Sequence, residues 1–423
     1  MFRFLHAADI HLDSPLTTLT KYPGAPVDKI RLATREALEN LVQCAIDEKV
    51  AFVVIAGDVY DGDWDDYNTG HFFNSQMTRL ANADIPVYLI SGNHDAANKM
   101  TRHLNLPANV HQFPTHAPET VHHPHLPVSV HGQGFESMSI KQDLSLNYPV
   151  AESGRFNIGI LHTSVDGREG HANYAPCTLN GLSAKGYDYW ALGHTHLREI
   201  LKDRPPMIAF SGNIQGRHIR ETGPKGCLLI DVDDNNQICD QRFYALDTFR
   251  WEVCEVDLSQ AEEPQDILDA LCDGFQEVIE RIDNRPAAVR VVLMGACPMH
   301  DALFGGQSYW MEQVRSLASQ QSGESLWVEK VKFRTSPVKA SRDLAELDGP
   351  ISELSACLRE WSKSEGKLNE LREGFHDLRR KVPAELLQGD EGIELENPNW
   401  IKNTLEEVEK LVIGRLLSQE EQA

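Results

Sequence analysis

Three observations predict an α/β fold for the first 250 residues. Short apolar runs of strand length alternate with longer segments whose apolar residues recur every three or four positions. Gly, Pro, Asn and Asp punctuate the junctions. Five of the apolar runs also end directly in Asp, Asn or His, which suggests one site at one edge of a sheet. The chain has 423 residues, more than one core normally holds, so two or three domains are expected.

Each element has its own signal. The first strand, from residue 2, ends at Asp9-Ile10-His11. Residues 28–49 are predicted helical, with Ile30, Ala33, Ala37, Leu41 and Ala45 on one stripe. Strand 52–55 ends at Gly57-Asp58. Helix 68–83 carries Phe72, Phe73, Met77 and Leu80 on its buried face, and Pro86 breaks the chain before strand 87–90. That strand ends at Gly92-Asn93-His94-Asp95. Residues 110–134 are rich in Pro and His without helical periodicity. The spacing of His111, His116, His122, His123 and His125 matches no ligand pattern, so a surface segment of strands and turns is expected. Strand 158–161 ends at His162, and strand 189–192 ends at Gly193-His194-Thr195-His196. Another strand is expected at 207–210. Segments 227–232 and 241–246 should pair as an antiparallel hairpin across Asp233-Asp234-Asn235-Asn236.

Near residue 250 the clusters stop. Strands at 251–256, 288–294 and 326–333, with helices at 264–281 and 308–320, predict a separate α/β module over 251–335. Residues 336–423 are polar and helical. Helices are expected at 351–363, 367–381 and 403–417, with an acidic loop at 390–398. This amphipathic tail is expected to dock another chain.

Hydrophobic content of 41% and charged content of 24% are those of a globular protein. No signal peptide and no apolar run of about 18 residues is evident, so a membrane span is not expected. Eight scattered cysteines without Cys-x-x-Cys predict reduced thiols in a cytosolic protein. A net charge of −23 argues against a free-standing nucleic-acid binder, because phosphate contacts need Lys and Arg. Divalent cations, a local basic patch or a partner's surface can supply that charge.

The strand ends offer seven candidate metal ligands: Asp9, His11, Asp58, Asn93, His162, His194 and His196. Alternation along an extended chain puts Asp9 beside His11 and His194 beside His196. All donors are oxygen or imidazole. One ion cannot use seven of them, whereas two ions sharing a carboxylate can, and mixed O/N ligation suits Mn, Fe or Zn. Such a site, with ions about 3.5–4 Å apart, activates water and neutralises phosphate oxygens. The expected reaction is in-line hydrolysis of a phosphoester. Gly57, Gly92 and Gly193 each precede a ligand, where the chain is expected to turn sharply near the ions. A lone histidine is more often a packing residue; the ordered set of five motifs is not explained that way.

The set resembles the calcineurin-like metallophosphoesterase superfamily over residues 1 to about 250, and within it the DNA-repair nuclease branch of SbcD/YhaO type. The words that carry the resemblance are Leu5-His6-Ala7-Ala8-Asp9-Ile10-His11-Leu12-Asp13-Ser14-Pro15, Ala56-Gly57-Asp58-Val59-Tyr60-Asp61, and Ser211-Gly212-Asn213-Ile214-Gln215-Gly216-Arg217. It implies a β-sandwich core flanked by helices (1–250), a small α/β capping domain (251–335) and a helical C-terminal tail (336–423). It further implies that Asp9, His11, Asp58 and His196 hold one metal, with Asp58 bridging to a second held by Asn93, His162 and His194. The metals implied are two manganese ions. His94 is implied as the general acid or transition-state stabiliser, with Asp95 orienting it. Some relatives carry His three residues after the bridging Asp, where this chain has Asp61. The protein-phosphatase word Gly-Asp-x-x-Asp-Arg-Gly is broken, because Gly62 follows Asp61.

Arg217, His218 and Arg220, with Lys225, form a local basic patch expected to steer a phosphate backbone. The function implied is a Mn-dependent DNA exonuclease or endonuclease subunit in DNA repair. The resemblance further implies a homodimer whose C-terminal helices dock an SbcC/YhaN-like coiled-coil ATPase. The alternative is a phosphodiesterase for a cyclic nucleotide or other small phosphoester, against which the length and the capping module count. A purely structural metal protein would not need His94.

Overall fold

Strand β1 (Phe2–Ala7) leads to helix α1 (Val27–Asp47), β2 (Phe52–Ala56), α2 (Asn68–Asn82), β3 (Val87–Ile90) and a short α3 (Asn93–Ala97). Then come β4 (Val110–Gln112), β5 (Glu119–His122), β6 (Val128–Gly132), β7 (Phe156–His162), α4 (Leu179–Ala184), β8 (Tyr189–Gly193) and β9 (Glu199–Lys202). They are followed by β10 (Met207–Phe210), β11 (Gly226–Val232) and β12 (Ile238–Ala245). The rest comprises β13 (Arg250–Asp257), α5 (Pro264–Arg281), β14 (Ala287–Ala296), α6 (His300–Gly305), α7 (Gln307–Ser322), β15 (Leu326–Ser336), α8 (Pro350–Lys363) and α9 (Glu365–Gly374). This computed structural model describes residues 1–14, 24–61, 67–97, 105–166, 174–323, 325–338, 350–375, 395, 397, 399–405 and 408–409. The chain forms two compact units. One is Met1–Cys254 with Phe275–Val291 and Ala318–Lys330; the other is Glu255–Gly274, Val292–Leu317 and Val331–Ala423.

The first unit holds two six-stranded sheets, in the orders β12-β11-β1-β2-β3-β4 and β5-β6-β7-β8-β10-β9. Their central strands are parallel, β1 with β2 and β3 in one sheet, β6 with β7, β8 and β10 in the other. The single sheet edge expected from the sequence is therefore two edges. β1, β2 and β3 deliver their polar ends from one sheet, β7 and β8 from the other. An isolated strand pattern carries no information on which sheet it joins. The closing hairpin β11–β12 is antiparallel, as expected.

Strand alternation sorts the apolar side chains into layers. Phe4, Phe52, Val54, Tyr88 and Ile90 of the first sheet meet Val130, Phe156, Ile158, Tyr189 and Ala191 of the second in one core. Phe4 stacks on Phe52 with centroids 5.0 Å apart and meets Tyr189 edge-on at 5.3 Å. The opposite face of the first sheet, with Leu5, Val53, Ile55 and Leu89, packs on Leu38 and Leu41 of α1 and on Phe73 and Met77 of α2. The far face of the second sheet, with Leu161, Trp190 and Phe210, packs on Leu182 of α4. The core is thus a β-sandwich flanked by helices.

The His-rich segment forms the edge strands β4 and β5 and their turns. His111 pairs with Glu119 (2.9 Å), His122 with Glu152 (2.8 Å), and the His123 ring accepts the backbone N–H groups of His125 and Leu126. Strand β14 lies between β13 and β15 in a third sheet. Helix α5 buries Ile267, Leu271, Phe275 and Val278 at helical spacing. Helix α8 matches the expected 351–363, and residues 399–405 are helical. The expected structure at 376–381, 390–394 and 410–417, together with Pro15 and Gly62 of the motifs, lies outside the described residues. All eight cysteines are free thiols, and no described helix is long and apolar enough to cross a membrane.

A buried histidine of β1 links the two sheets. His6 of β1 is fully buried, with Nδ1 2.8 Å from the Tyr189 hydroxyl and Nε2 3.2 Å from the Leu192 carbonyl. Burial pushes its pKa down to about 3 from 6.5. Between these values the unfolded chain takes up a proton that the folded one refuses, so stability falls as pH falls below 6.5. The slope from this group approaches about 1.4 kcal/mol per pH unit. A His6→Gln variant is expected to lack that component when unfolding free energy is measured by urea titration between pH 6.5 and 5. An unchanged slope would contradict the assignment.

Candidate dinuclear metal centre

The donors sit where the parallel strands end. Four of the seven have left-handed backbone: Asp9 (φ 51°), His11 (46°), Asp58 (51°) and His194 (100°). Such conformations cost roughly 1–3 kcal/mol each and persist only when neighbours enforce them. Here the Asp9 N–H donates to Gly57 O (3.0 Å) and the His11 N–H to Asp58 O (3.0 Å). Of the three glycines expected at sharp turns, only Gly57 has the left-handed φ, 90°. Gly92 answers a different need, since a Cβ there would lie 2.2 Å from Asp58 Oδ1.

All seven candidates gather at this point. Ligand atoms of Asp9, His11 and His196 lie within 4.8 Å of one another, as do those of Asp9, Asp58 and His162 and those of His11, Asp58 and His94. His162 Nδ1 lies 2.9 Å from the Ala56 carbonyl, which can only accept, so Nδ1 carries the proton. Its Nε2 then faces two oxygens, Asn93 Oδ1 at 2.9 Å and Asp58 Oδ2 at 3.3 Å. His196 Nδ1 lies 2.5 Å from Glu221 Oε1, which turns its Nε2 toward His11 Nε2, 3.1 Å away. The His194 N–H donates to both oxygens of Asp9 (3.0 and 3.1 Å), and its ring lies 5.3 Å from that of His162.

Buried acceptors that face one another fit cations. Asp9 and Asp58 are each 1% exposed. Burial raises the Asp9 carboxyl above its usual range. Burial would raise Asp58 too, but His162 and His94 hold it down at about 2. Burial disfavours charge on His162, yet the Asp58 and Asp9 carboxylates lift it to about 9. Two buried carboxylates set against imidazoles in this way favour positive charge between them. The donor set of oxygen and imidazole without thiolate suits a borderline divalent metal.

His94 stands at the rim with its side chain 38% exposed. Its backbone N–H donates to Asp58 Oδ1 (2.9 Å), and its ring packs 4.9 Å from that of His11. The carboxylate on its ring is Asp61, with Oδ1 2.8 Å from Nδ1, a bond that raises the His94 pKa despite burial. The sequence expectation that Asp95 orients His94 is therefore corrected. Asp95 accepts the N–H groups of Gly92 (2.9 Å), Tyr60 (2.9 Å) and Val59 (3.2 Å). One helical turn at α3 sends adjacent side chains in different directions, so Asp95 braces the loop after β2 instead.

The expected basic patch is also divided. Arg217 is mostly buried, with Nη1 2.8 Å from Asp61 Oδ2 and 3.3 Å from Ser14 Oγ. Lys225 is buried with Nζ 3.3 Å from the His196 carbonyl. His218 and Arg220 are the exposed members. Sequence reasoning did not single out Glu221 or Ser14. The only hint of Glu221 was an acidic residue closing an otherwise basic stretch.

Residues 2–198 match the family model for calcineurin-like phosphoesterases, and residues 251–336 match that for the middle domain of metallophosphoesterase YhaO. The chain is 33% identical over 298 residues to the uncharacterized metallophosphoesterase YhaO of Bacillus subtilis (strain 168), covering 70% of this chain and 72% of that one. Among solved structures it is similar to a dimetal phosphatase from Danio rerio, with a TM-score of 0.33 and 13% identity, covering 55% of this chain and 93% of that one. GAP50, the anchor in the inner membrane complex of Plasmodium, also scores 0.33, at 12% identity over 58% of this chain and 88% of that one. Scores this low add nothing to the assignment.

A His94→Asn variant is expected to lose roughly 10²–10⁴-fold in turnover of bis-p-nitrophenyl phosphate while keeping its bound metal. Asp61→Asn should lose less, also with metal retained. Loss of metal from the His94 variant, measured by elemental analysis, would make His94 a ligand and contradict the assignment.

Proposed function

The chain belongs to the YhaO family of calcineurin-like metallophosphoesterases, and from that membership we propose that it is a manganese-dependent DNA nuclease subunit. The coarser statement, a metal-dependent phosphoesterase, follows from the family and the clustered donors. The observation that carries the catalytic reading is His94, a histidine beside the donors, held on its Nδ1 by Asp61 so that Nε2 is left for substrate.

Asp9, His11, Asp58 and His196 would hold one ion, and Asn93, His162 and His194, with Asp58 shared, the second. When bound, the ions supply charge neutralisation at the phosphate and a nucleophile from water. The chain's own residues do the rest. Asp61 keeps the His94 ring in one orientation, and the protonated ring gives its Nε2 proton to the leaving oxygen. The paired carboxylates Asp61 and Glu221 keep Arg217 at the rim of the site. His218 and Arg220, the exposed members of the basic patch, would face a phosphate backbone.

DNA as substrate rests on the resemblance to the DNA-repair nuclease branch, within which the Leu12-Asp13-Ser14-Pro15 and Gln215-Gly216-Arg217-His218 words favour the YhaO type, and on the module and helical tail beyond the sandwich. A net charge of −23 fits a subunit that borrows DNA affinity from a partner, here a coiled-coil ATPase of SbcC/YhaN type docked by the C-terminal helices. Homodimerisation belongs to the same proposal. One observation favours a small phosphoester or cyclic nucleotide instead: Arg217 and Lys225 are engaged within the protein, which leaves few cations for a polymer.

End-labelled linear DNA, bis-p-nitrophenyl phosphate and a cyclic nucleotide, each incubated with the protein and Mn, separate the readings. Progressive shortening of the DNA, absent in the His94→Asn variant, is the expected result. Turnover of the small esters with DNA intact, even with an SbcC/YhaN-like ATPase and ATP added, would overturn the nuclease proposal and leave the phosphoesterase.

A further inference from the structure

The loop after β10 reaches from the metal centre to the first residues of β13. Glu221, in this loop, is 5% exposed. Its Oε2 accepts from the Arg217 N–H (2.7 Å) and from Asn213 Nδ2 (3.0 Å). Its Oε1 takes His196 Nδ1 (2.5 Å) and lies 3.7 Å from Arg217 Nη2 and 3.4 Å from His218 Nε2. Burial opposes its charge, but the His196 bond and the neighbouring cations hold its carboxyl well below the usual range. The other side of Arg217 meets Asp61, which holds His94. Arg217 thus stands between two carboxylates, each of which fixes one imidazole of the site.

The loop itself is clasped. Trp251 Nε1 donates to the Gly216 carbonyl (3.1 Å), and the Gly223 N–H donates to the Trp251 carbonyl (3.1 Å). Gln215 donates to the Phe249 carbonyl (2.6 Å) and accepts the Thr248 N–H (2.9 Å). Trp251 packs with Ile30 and Ala33 of α1. A loop so fixed can hold a side chain to a fraction of an ångström, as a hydrogen-bonded partner of a ligand must.

We propose that Glu221 and Arg217 form a positioning bridge: Glu221 orients His196 as a metal ligand, and Arg217 couples that ligand to the Asp61–His94 pair. The assignment makes Arg217 a positioning residue and not a phosphate contact. A lysine cannot replace it, because an ammonium is a single point charge and cannot span two carboxylates as a planar guanidinium does. The proposal rests on the reading that the seven donors hold two cations.

The test is Mn titration of the full chain, followed by the electron paramagnetic resonance signal of free Mn, with bis-p-nitrophenyl phosphate turnover on the same samples. Wild type should bind two equivalents. Glu221→Gln should weaken one of them by about 10- to 100-fold and leave the other. Arg217→Gln and Arg217→Lys should both lower kcat at saturating Mn, with KM unchanged. Glu221→Gln binding both equivalents like wild type would overturn the bridge. So would Arg217→Gln raising KM at full kcat, or Arg217→Lys restoring turnover, since either marks a phosphate contact. Failure of wild type to bind Mn would instead overturn the two-cation reading and the bridge with it. Thermal unfolding checks each variant; should Glu221→Gln not fold, the Arg217 arm decides.

Discussion

Two carboxylates buried together against imidazoles constrain everything else in the first unit. Asp9 and Asp58 are almost inaccessible, and the imidazoles of His11, His162 and His196 lie close around them. The effective penalty of burying one such ion is several kcal/mol even after relaxation. Only a compensating positive charge makes the arrangement stable, and the surrounding chemistry is organised to receive it. The strained backbone at Asp9, His11, Asp58 and His194 belongs to the same constraint, because each residue is turned inward against its ordinary preference.

A rigid frame is needed to hold such a cluster, and the sandwich supplies one. Parallel strands bring their carboxyl ends to a common edge, and two sheets packed through Phe4, Phe52, Phe156 and Tyr189 bring two such edges together. Small residues let the edges close. Gly193 lies against the Ala56 carbonyl, where a Cβ would come within 1.9 Å. Ala56 in turn accepts the His162 Nδ1 proton and sets which nitrogen faces the site. Backbone packing and tautomer choice are therefore one piece of geometry.

The clustering of the candidate ligands was legible in the sequence because its signal is local. A strand that stops at Gly-Asp or Gly-His-x-His carries its polar cargo within a few residues, and all seven meet in the fold. The α/β alternation and the β11–β12 hairpin were legible for the same reason. The division into two sheets was not, because pairing partners such as β1 and β11 are far apart in sequence. The side chains behind the donors were least legible. Adjacency pointed from His94 to Asp95, whereas the contact is to Asp61, across the gap between two strand ends. Glu221 reaches His196 from 25 positions away, and Arg217 reaches Asp61 from 156. A basic cluster in a sequence shows cations, not whether the fold has already spent them on buried carboxylates.

The central claim is that these residues hold two metal ions. Anomalous diffraction from crystals grown with Mn, recorded on both sides of the Mn edge, tests it directly. The account predicts two peaks per chain, with Asp58 touching both, His196 on one ion and His162 on the other, and His94 on neither. A single peak, or one ligated by His94, would contradict it.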